Sequence, residues 1–337
     1  MPTLLKTFVS QSWPPKPAFS VDQIPDLSGR VILVTGGNAG IGYETAKAVL
    51  SKNAKVYIAC RSREKGENAL ASLRKETGKE AHFLQLDLAR LASVKEAARE
   101  FLKYVYVLLI GSPDPGIDDV NLFDRLEPRL HILFNNAGVM EPSIDLLTAD
   151  GYDLTVGTNV LGPYYFTSLV LPALLTAANE GPHKARIVNT SSFASEMCHG
   201  KLDYSAFKED DRKRRALGTT NLYYISKWMN LTYTTEFSRR YKGKGIVSSA
   251  VNPGNIQSDL QRHLTGFKDW ALSKILHPTP YGALTQLYAG TSEHADEFDG
   301  GYFVPWARRA EPNPTTKDPG EGKKLWEWLE AQVKANE

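Results

Sequence analysis

Val31-Ile32-Leu33-Val34 runs into Thr35-Gly36-Gly37-Asn38-Ala39-Gly40-Ile41-Gly42, and that turn runs into Tyr43-Glu44-Thr45-Ala46-Lys47-Ala48-Val49-Leu50. The first four residues are apolar and β-rich, the last eight carry a helical pattern, and glycines fill the join. Glycines there allow a tight turn and a close backbone approach to a pyrophosphate. The helix N-terminus that follows supplies free amides and positive potential. Gly36, Asn38, Gly40, Ile41 and Gly42 are therefore candidate nucleotide-binding residues. A glycine cluster by itself is only a turn; the strand before it and the helix after it carry the reading.

The same rhythm repeats outward. Lys55 to Ala59 (KVYIA) reads as a second buried strand, residues 63–77 as a charged helix, His82 to Leu86 as a strand and 91–103 as a helix. Leu130 to Phe134, Arg186 to Asn189 and Ile246 to Val251 follow as strands with helical stretches between, and Gly301 to Val304 is a last candidate. Strands that are apolar throughout are buried on both faces. Alternating with helices, they predict an α/β fold, a doubly wound Rossmann-type parallel sheet of about seven strands with helices on both faces, in a single domain. The ligand crevice then lies beyond the carboxyl ends of the strands.

Composition excludes several classes. The chain has 337 residues, 42% hydrophobic and 23% charged, with a formal charge of +2. That balance gives no field strong enough to argue for nucleic acid or an anionic membrane. Cys60 and Cys198 have no metal-type spacing and read as free thiols of a reducing, cytoplasmic compartment. The seven histidines form no ligand-spaced cluster, so no metal is expected. No apolar stretch reaches membrane-spanning length, and residues 1–25 lack a signal-peptide pattern, so no transmembrane segment is expected. Trp13-Pro14-Pro15-Lys16-Pro17 reads as an extended arm, lying along the surface or mobile. The organisation expected is an N-terminal arm over 1–26, a dinucleotide-binding and catalytic domain over 27–310, and a C-terminal tail and helix over 311–337.

Two segments interrupt the rhythm. Lys208-Glu209-Asp210-Asp211-Arg212-Lys213-Arg214-Arg215, within 200–220, reads as a solvated surface excursion. Tyr104 to Arg125 separates a helix from the strand that should follow closely, where connections are usually short. Without it, Lys103 would join Leu126 in a natural helix-to-strand link. A Lys-Tyr-Val codon run can contain a fungal donor splice signal, so this insert is either a translated intron or a genuine surface insert.

The second strand ends in Ala59-Cys60-Arg61-Ser62. A carboxylate there would bind a ribose 2′-hydroxyl; Arg61 instead suits a 2′-phosphate through charge-assisted bonds, with Ser62 and Lys65 as helpers. That favours NADP(H) over NAD. Asp87, after the third strand, either bonds the adenine amino group or caps the helix starting near Leu91.

With TGGNAGIG, the Asp87 turn and Asn135-Asn136-Ala137-Gly138 in this order, the chain resembles a short-chain dehydrogenase/reductase from about Leu27 to Val304. ACRS, LDLA and NNAGVM are most similar to the retinol dehydrogenase-like branch, and GYFVPW and KKLWEWLE resemble its fungal members. The resemblance implies that Asn136 and Ala137 pass close to the adenine ribose, with Asn135 structural.

Tyr223-Tyr224-Ile225-Ser226-Lys227 begins a helix-prone stretch, and a spacing of four puts Tyr223 and Lys227 on one face. Tyr223 is the candidate proton donor. A phenol at its usual pKa of about 10 exchanges protons poorly near neutrality; a nearby ammonium and a cationic nicotinamide favour the phenolate. Lys227 is also expected to hold the nicotinamide ribose. Tyr224 is the competing tyrosine, off the family register, and is expected to pack or to contact substrate. The resemblance further implies Ser192 as the hydrogen-bond donor to the reacting oxygen, with Ser191 structural, and Asn159 as holder of a water near the lysine. It implies that Ile256 contacts the nicotinamide amide through its backbone, with Ser258 standing where the family has threonine. Residues 259–281 fall where the family carries a substrate lid, and their apolar character suits a hydrophobic substrate.

The expected reaction is carbonyl–alcohol interconversion on a small lipophilic or secondary-metabolite substrate, such as a steroid, a retinoid-like aldehyde or a polyketide ketone. A non-catalytic nucleotide-binding member of the superfamily is the rival reading, against which the intact Tyr223–Lys227 pair counts. A metal-dependent alcohol dehydrogenase lacks its cysteine–histidine ligand set here. The resemblance leaves monomer and homo-oligomer equally open.

Overall fold

The computed structural model describes residues 4–110, 129–257 and 275–335. β1 (Val31–Thr35) is buried along its whole length. Successive strand side chains point to opposite faces, and β1 divides accordingly. Ile32 and Val34 join one core cluster, and Val31 and Leu33 the other. A strand with two cores needs a helical layer on each side.

The remaining strands are β2 (Lys55–Cys60), β3 (His82–Gln85), β4 (Ile132–Asn135), β5 (Ala185–Thr190), β6 (Ile246–Val251), β7 (Tyr302–Val304) and β8 (Arg308–Ala310). They form one eight-stranded sheet in the order β3-β2-β1-β4-β5-β6-β7-β8. Every pairing is parallel except β7 with β8, which is antiparallel. The sheet thus exceeds the expected seven by one short edge strand. Arg308-Arg309-Ala310 carries no apolar run that could announce it; only the pairing with β7 makes it a strand. Order reverses between β1 and β4, so a crevice opens beyond their carboxyl ends.

α2 (Gly40–Ser51), α3 (Arg63–Thr77) and α7 (Thr279–Thr291) cover one face. α4 (Leu91–Ile110), α5 (Leu154–Asn179), α6 (Asp211–Arg240) and α8 (Pro319–Lys334) cover the other. α4 continues past the expected end at 103, and the rest of the proposed 104–125 insert lies outside the described residues. α5 corrects the expectation that no stretch reaches membrane-spanning length: its 26 residues are long and apolar enough, but 67% of its apolar 18-residue stretch is buried in the protein. Its apolarity is that of a core helix, with Phe166, Val170 and Leu174 fully enclosed.

Two further segments depart from expectation. The N-terminal arm begins as a helix, α1 (Leu4–Ser12), before Trp13. Nine residues form no stable helix on local propensity, so tertiary contacts hold it. The charged run 208–215 is not simply solvated: Arg214 is 4% exposed and donates to Ile144 O and Asp211. Gly218, at φ 73 and ψ 164, breaks α6 so that Tyr223 and Lys227 start a fresh helical course. Cys60 and Cys198 are free and buried.

Candidate active site

A cleft of about 640 Å³ lies at the carboxyl ends of the strands. It brings together Gly36, Asn38, Gly40, Ile41, Arg61, Asp87, Asn136, Ala137, Ser192, Tyr223, Lys227 and Ile256. Gly42 and Asn159 do not line it, and Ser258 lies outside the described residues, as does 259–274 of the expected lid.

The nucleotide end is built by close backbone approach. Gly36 sits at φ 68, and a Cβ there would stand 3.1 Å from both Ala137 Cα and Asn136 Nδ2. A Cβ on Gly42 would strike Gly36 O and lie 2.6 Å from Asn136 Nδ2. Gly42 therefore serves packing of α2 against the turn rather than the cleft surface. The N-cap of α2 is Ala39, which has no side chain able to cap it, and the first turn holds no acidic residue. The helix N-terminus thus opens into the cleft with its amides available to an anion.

Thr35 ties the two cofactor turns together. Its hydroxyl donates to Phe134 O (3.2 Å) and accepts from the amides of Asn136 and Ala137 (both 3.0 Å). Gln286 adds a bond to Asn136 Oδ1 (3.4 Å), to Thr45 and, as acceptor, from Thr190 Oγ1 (3.2 Å). Both residues escaped the sequence reading. Thr35 closes the strand before the glycine turn with nothing local to mark its role, and Gln286 is a polar residue in a helix with no motif around it. Asn135 is buried and donates to Thr167 Oγ1 (3.1 Å) and Asn189 Oδ1 (2.9 Å), away from the cleft.

At the end of β2, Arg61 and Lys65 face the cleft with Cys60 and Ser62. The Ser62 hydroxyl accepts from Lys65 N (3.3 Å) as the N-cap of α3. Of the two readings of Asp87, helix capping is corrected. The Asp87 carboxylate takes Ala89 N (3.0 Å), and the Leu91 amide that starts α4 is taken by Asp150 (2.9 Å).

The reactive end centres on Tyr223, Lys227 and Ser192. The Tyr223 phenol and the Ser192 hydroxyl line this end of the cleft together, close enough for Ser192 to favour the phenolate. Ser192 also caps the short 3-10 turn Phe193–Met197 through Ala194 N (3.2 Å), which fixes its side chain. Ser191 turns away, donating to Lys227 O (2.8 Å). Lys227 Nζ donates to Thr190 O (3.0 Å) and lies 5.7 Å from the Tyr223 ring centre. Tyr224 is half-buried and does not line the cleft.

Burial dominates the electrostatics. It pushes the Tyr223 phenol up to about 12, against the nearby Ser192 hydroxyl, which lowers it, and with help from Glu141. It pushes Lys227 down to about 8. The expected lowering of Tyr223 is thus not a property of the protein groups alone. Taking both side chains out of water penalises each charged form more than the pair's proximity favours it.

Asn159 lies in a π-helical turn, Gly157–Leu161, within α5. Its side chain accepts from Val139 N (2.8 Å) and donates to Val139 O (2.9 Å) and Ser226 Oγ (3.1 Å). Both amide N–H groups are taken by protein atoms and the carbonyl accepts one bond, so the side chain steadies the wall at Val139. Behind it lies a cavity of about 10 Å³ lined by Asn135, Asn159, Thr190 and Asn230, among others. Among the described residues, no group of three His, Cys, Asp or Glu could hold a metal.

A glycine-turned anion cradle and a Tyr–Ser–Lys cluster share one cleft on a doubly wound sheet, which is the layout of a dinucleotide-dependent oxidoreductase. The short chain dehydrogenase family model matches residues 30–109 and 121–209. A short-chain dehydrogenase/reductase of Armillaria gallica is 48% identical over 329 residues, covering 97% of this chain and 98% of that one. Human retinol dehydrogenase 11 is 32% identical over 308 residues, covering 89% and 85%. A solved protein of Mycobacterium paratuberculosis superposes with a TM-score of 0.69 at 24% identity, covering 94% and 97%. The chain belongs to the short-chain dehydrogenase/reductase family and is an oxidoreductase of that family.

Proposed function

We propose that this chain is an NADP(H)-dependent enzyme interconverting a carbonyl and an alcohol on a lipophilic, secondary-metabolite substrate. The observation that carries this reading is that Ser192 and the buried Tyr223 and Lys227 line the same cleft as the glycine turn. A nicotinamide dinucleotide, when bound, supplies or accepts the hydride. Gly36, Asn38, Gly40 and Ile41 would hold its pyrophosphate, Asp87, Asn136 and Ala137 its adenosine half, and Lys227 and Ile256 its nicotinamide half.

The residues then divide the work. The Ser192 hydroxyl orients the substrate oxygen and stabilises charge developing on it. The Tyr223 hydroxyl gives that oxygen a proton in reduction and takes one in oxidation. Lys227, still mostly protonated at neutral pH, favours the phenolate during that exchange. The polar cavity behind Asn159 has room for about one water, which supports a proton path away from Lys227.

Cofactor choice rests on Arg61 and Lys65, with no carboxylate at the end of β2. The lipophilic substrate rests on Val139, Met140, Leu146, Leu154 and Leu276 in the cleft lining. It rests also on Leu146 being 47% exposed within that lining. Two free, buried thiols support a cytoplasmic setting. The test is a screen for NADPH consumption across carbonyl classes with the full chain and with Tyr223→Phe. Turnover should fall by about 10² to 10⁴ in the variant while NADPH binding persists. A purified variant with near-normal turnover would overturn the assignment.

A further inference from the structure

α1 is built the wrong way round for a helix held by apolar burial. It contributes no side chain to any core cluster, its Leu4, Leu5 and Val9 are exposed, and the residues it buries are the polar Gln11 and Ser12. Hydrogen bonds attach it instead, and they converge on one place. Asn252 Nδ2 donates to Gln11 Oε1 (2.6 Å) and Asn255 Nδ2 to Ser12 Oγ (3.0 Å). The last carbonyls of a helix have no partner within it; here Arg308 donates to Ser10 O (2.8 Å) and His277 Nε2 lies 3.0 Å from Ser12 O. On its other flank Phe8 meets Phe193, the residue after Ser192, at 5.4 Å.

Asn252 and Asn255 bracket the turn that lines the reactive end of the cleft through Pro253, Gly254, Asn255 and Ile256. Asn252 Oδ1 accepts from Gly254 N (2.9 Å), and Asn255 O accepts from His277 N (2.7 Å). Gly254 is wedged from behind, since a Cβ there would meet Pro305 at 2.9 Å. We propose that α1 is a positioning clamp for the nicotinamide end of the cofactor site, with Gln11 and Ser12 as its positioning residues. The inference rests on the dinucleotide reading above. Asn252 is 3% exposed, so without Gln11 its amide N–H is left buried with no acceptor, and the turn it organises must shift to relieve it.

The experiment uses the full chain, its Gln11→Ala/Ser12→Ala double variant and Gln11→Glu, which keeps an acceptor oxygen. Calorimetry compares NADP(H) with ADP-ribose 2′-phosphate, which fills the adenine and pyrophosphate end and carries no nicotinamide. The double variant should bind NADP(H) about tenfold more weakly, the scale of one buried unpaired donor, with its affinity for the fragment unchanged. Gln11→Glu should restore NADP(H) binding. Equal weakening for dinucleotide and fragment, or no weakening of either, overturns the clamp. Should the double variant not fold, Ser12→Ala alone carries the same comparison. A wild-type chain that binds neither ligand overturns the dinucleotide reading itself, whereas wild-type binding with an unmoved variant overturns only the clamp.

Discussion

Lys227→Met should make the protein more stable and less active at once. Burial holds the Lys227 ammonium at about 8 instead of its ordinary 10.5. The folded chain therefore binds fewer protons than the unfolded one between those values, and burying the charged form is destabilising at neutral pH. The shift corresponds to about 3 kcal/mol. Methionine has a similar unbranched reach and no charge, and the Thr190 carbonyl that Lys227 engages keeps a bond from Asn230 Nδ2 (3.3 Å). At about 2 °C per kcal/mol for a chain of this size, the melting point should rise by about 6 °C at pH 7. The wild type should close that gap as pH climbs from 8 to 10.5, because its penalty disappears once the amine is neutral. Catalysis moves the other way. At an effective dielectric of about 20, a charge 5.7 Å from the Tyr223 ring centre favours phenolate by about 3 kcal/mol, or about two pKa units. Alcohol oxidation, which needs the phenolate, should lose about 10²-fold at pH 7, and its rising pH limb should move about two units alkaline. Lys227→Arg, which keeps the charge, should preserve the position of that limb. Calorimetric melts and pH–rate profiles read both effects. A Lys227→Met protein that melts lower than wild type, or one whose pH profile does not move, would refute the reasoning.

Other expectations follow from separate parts of the structure. Arg61→Asp should weaken NADPH by about 10- to 100-fold, the scale of a hydrogen bond between charged groups, and NADH much less; equal losses in a binding titration would remove the 2′-phosphate role. His131 Nδ1 accepts from Val31 N (3.0 Å), and burial followed by Arg30 and Arg129 pushes it down to about 4. Its folded pKa lies below the unfolded value of 6.5, so the stability it contributes is complete above 6.5 and is lost as pH falls through 4. His131→Asn keeps an acceptor and does not titrate, so its melting point should fall less between pH 6.5 and 4; an identical fall would exclude His131 as the cause.

The fold was largely legible because the central strands β1 and β4 are apolar on both faces and the inner strands are each followed by a helical or turn pattern. Val31–Thr35 could be read as buried on both faces before any partner was known. The chemistry-bearing residues were legible for a related reason. Tyr223 and Lys227 are one helical turn apart, and Gly36, Gly40 and Gly42 sit in one turn, so local geometry relates them. Ser192 and Ile256 needed the family resemblance, because a serine pair or a proline–glycine turn after a strand is common in any fold.

What tertiary structure alone decided depends on partners far along the chain. β8 is a strand because β7 offers an edge, not because Arg308-Arg309-Ala310 favours one. The Leu91 amide is capped by Asp150 and not by its neighbour Asp87. Thr35 joins two turns a hundred residues apart, and α1 reaches Asn252 and Asn255 from the opposite end of the sequence. The reversed electrostatics have the same origin. Spacing places a lysine beside a tyrosine and predicts mutual assistance. Only packing shows how far both are removed from water, and desolvation, which no local sequence pattern encodes, sets the resting charge of Tyr223 and the strain on Lys227.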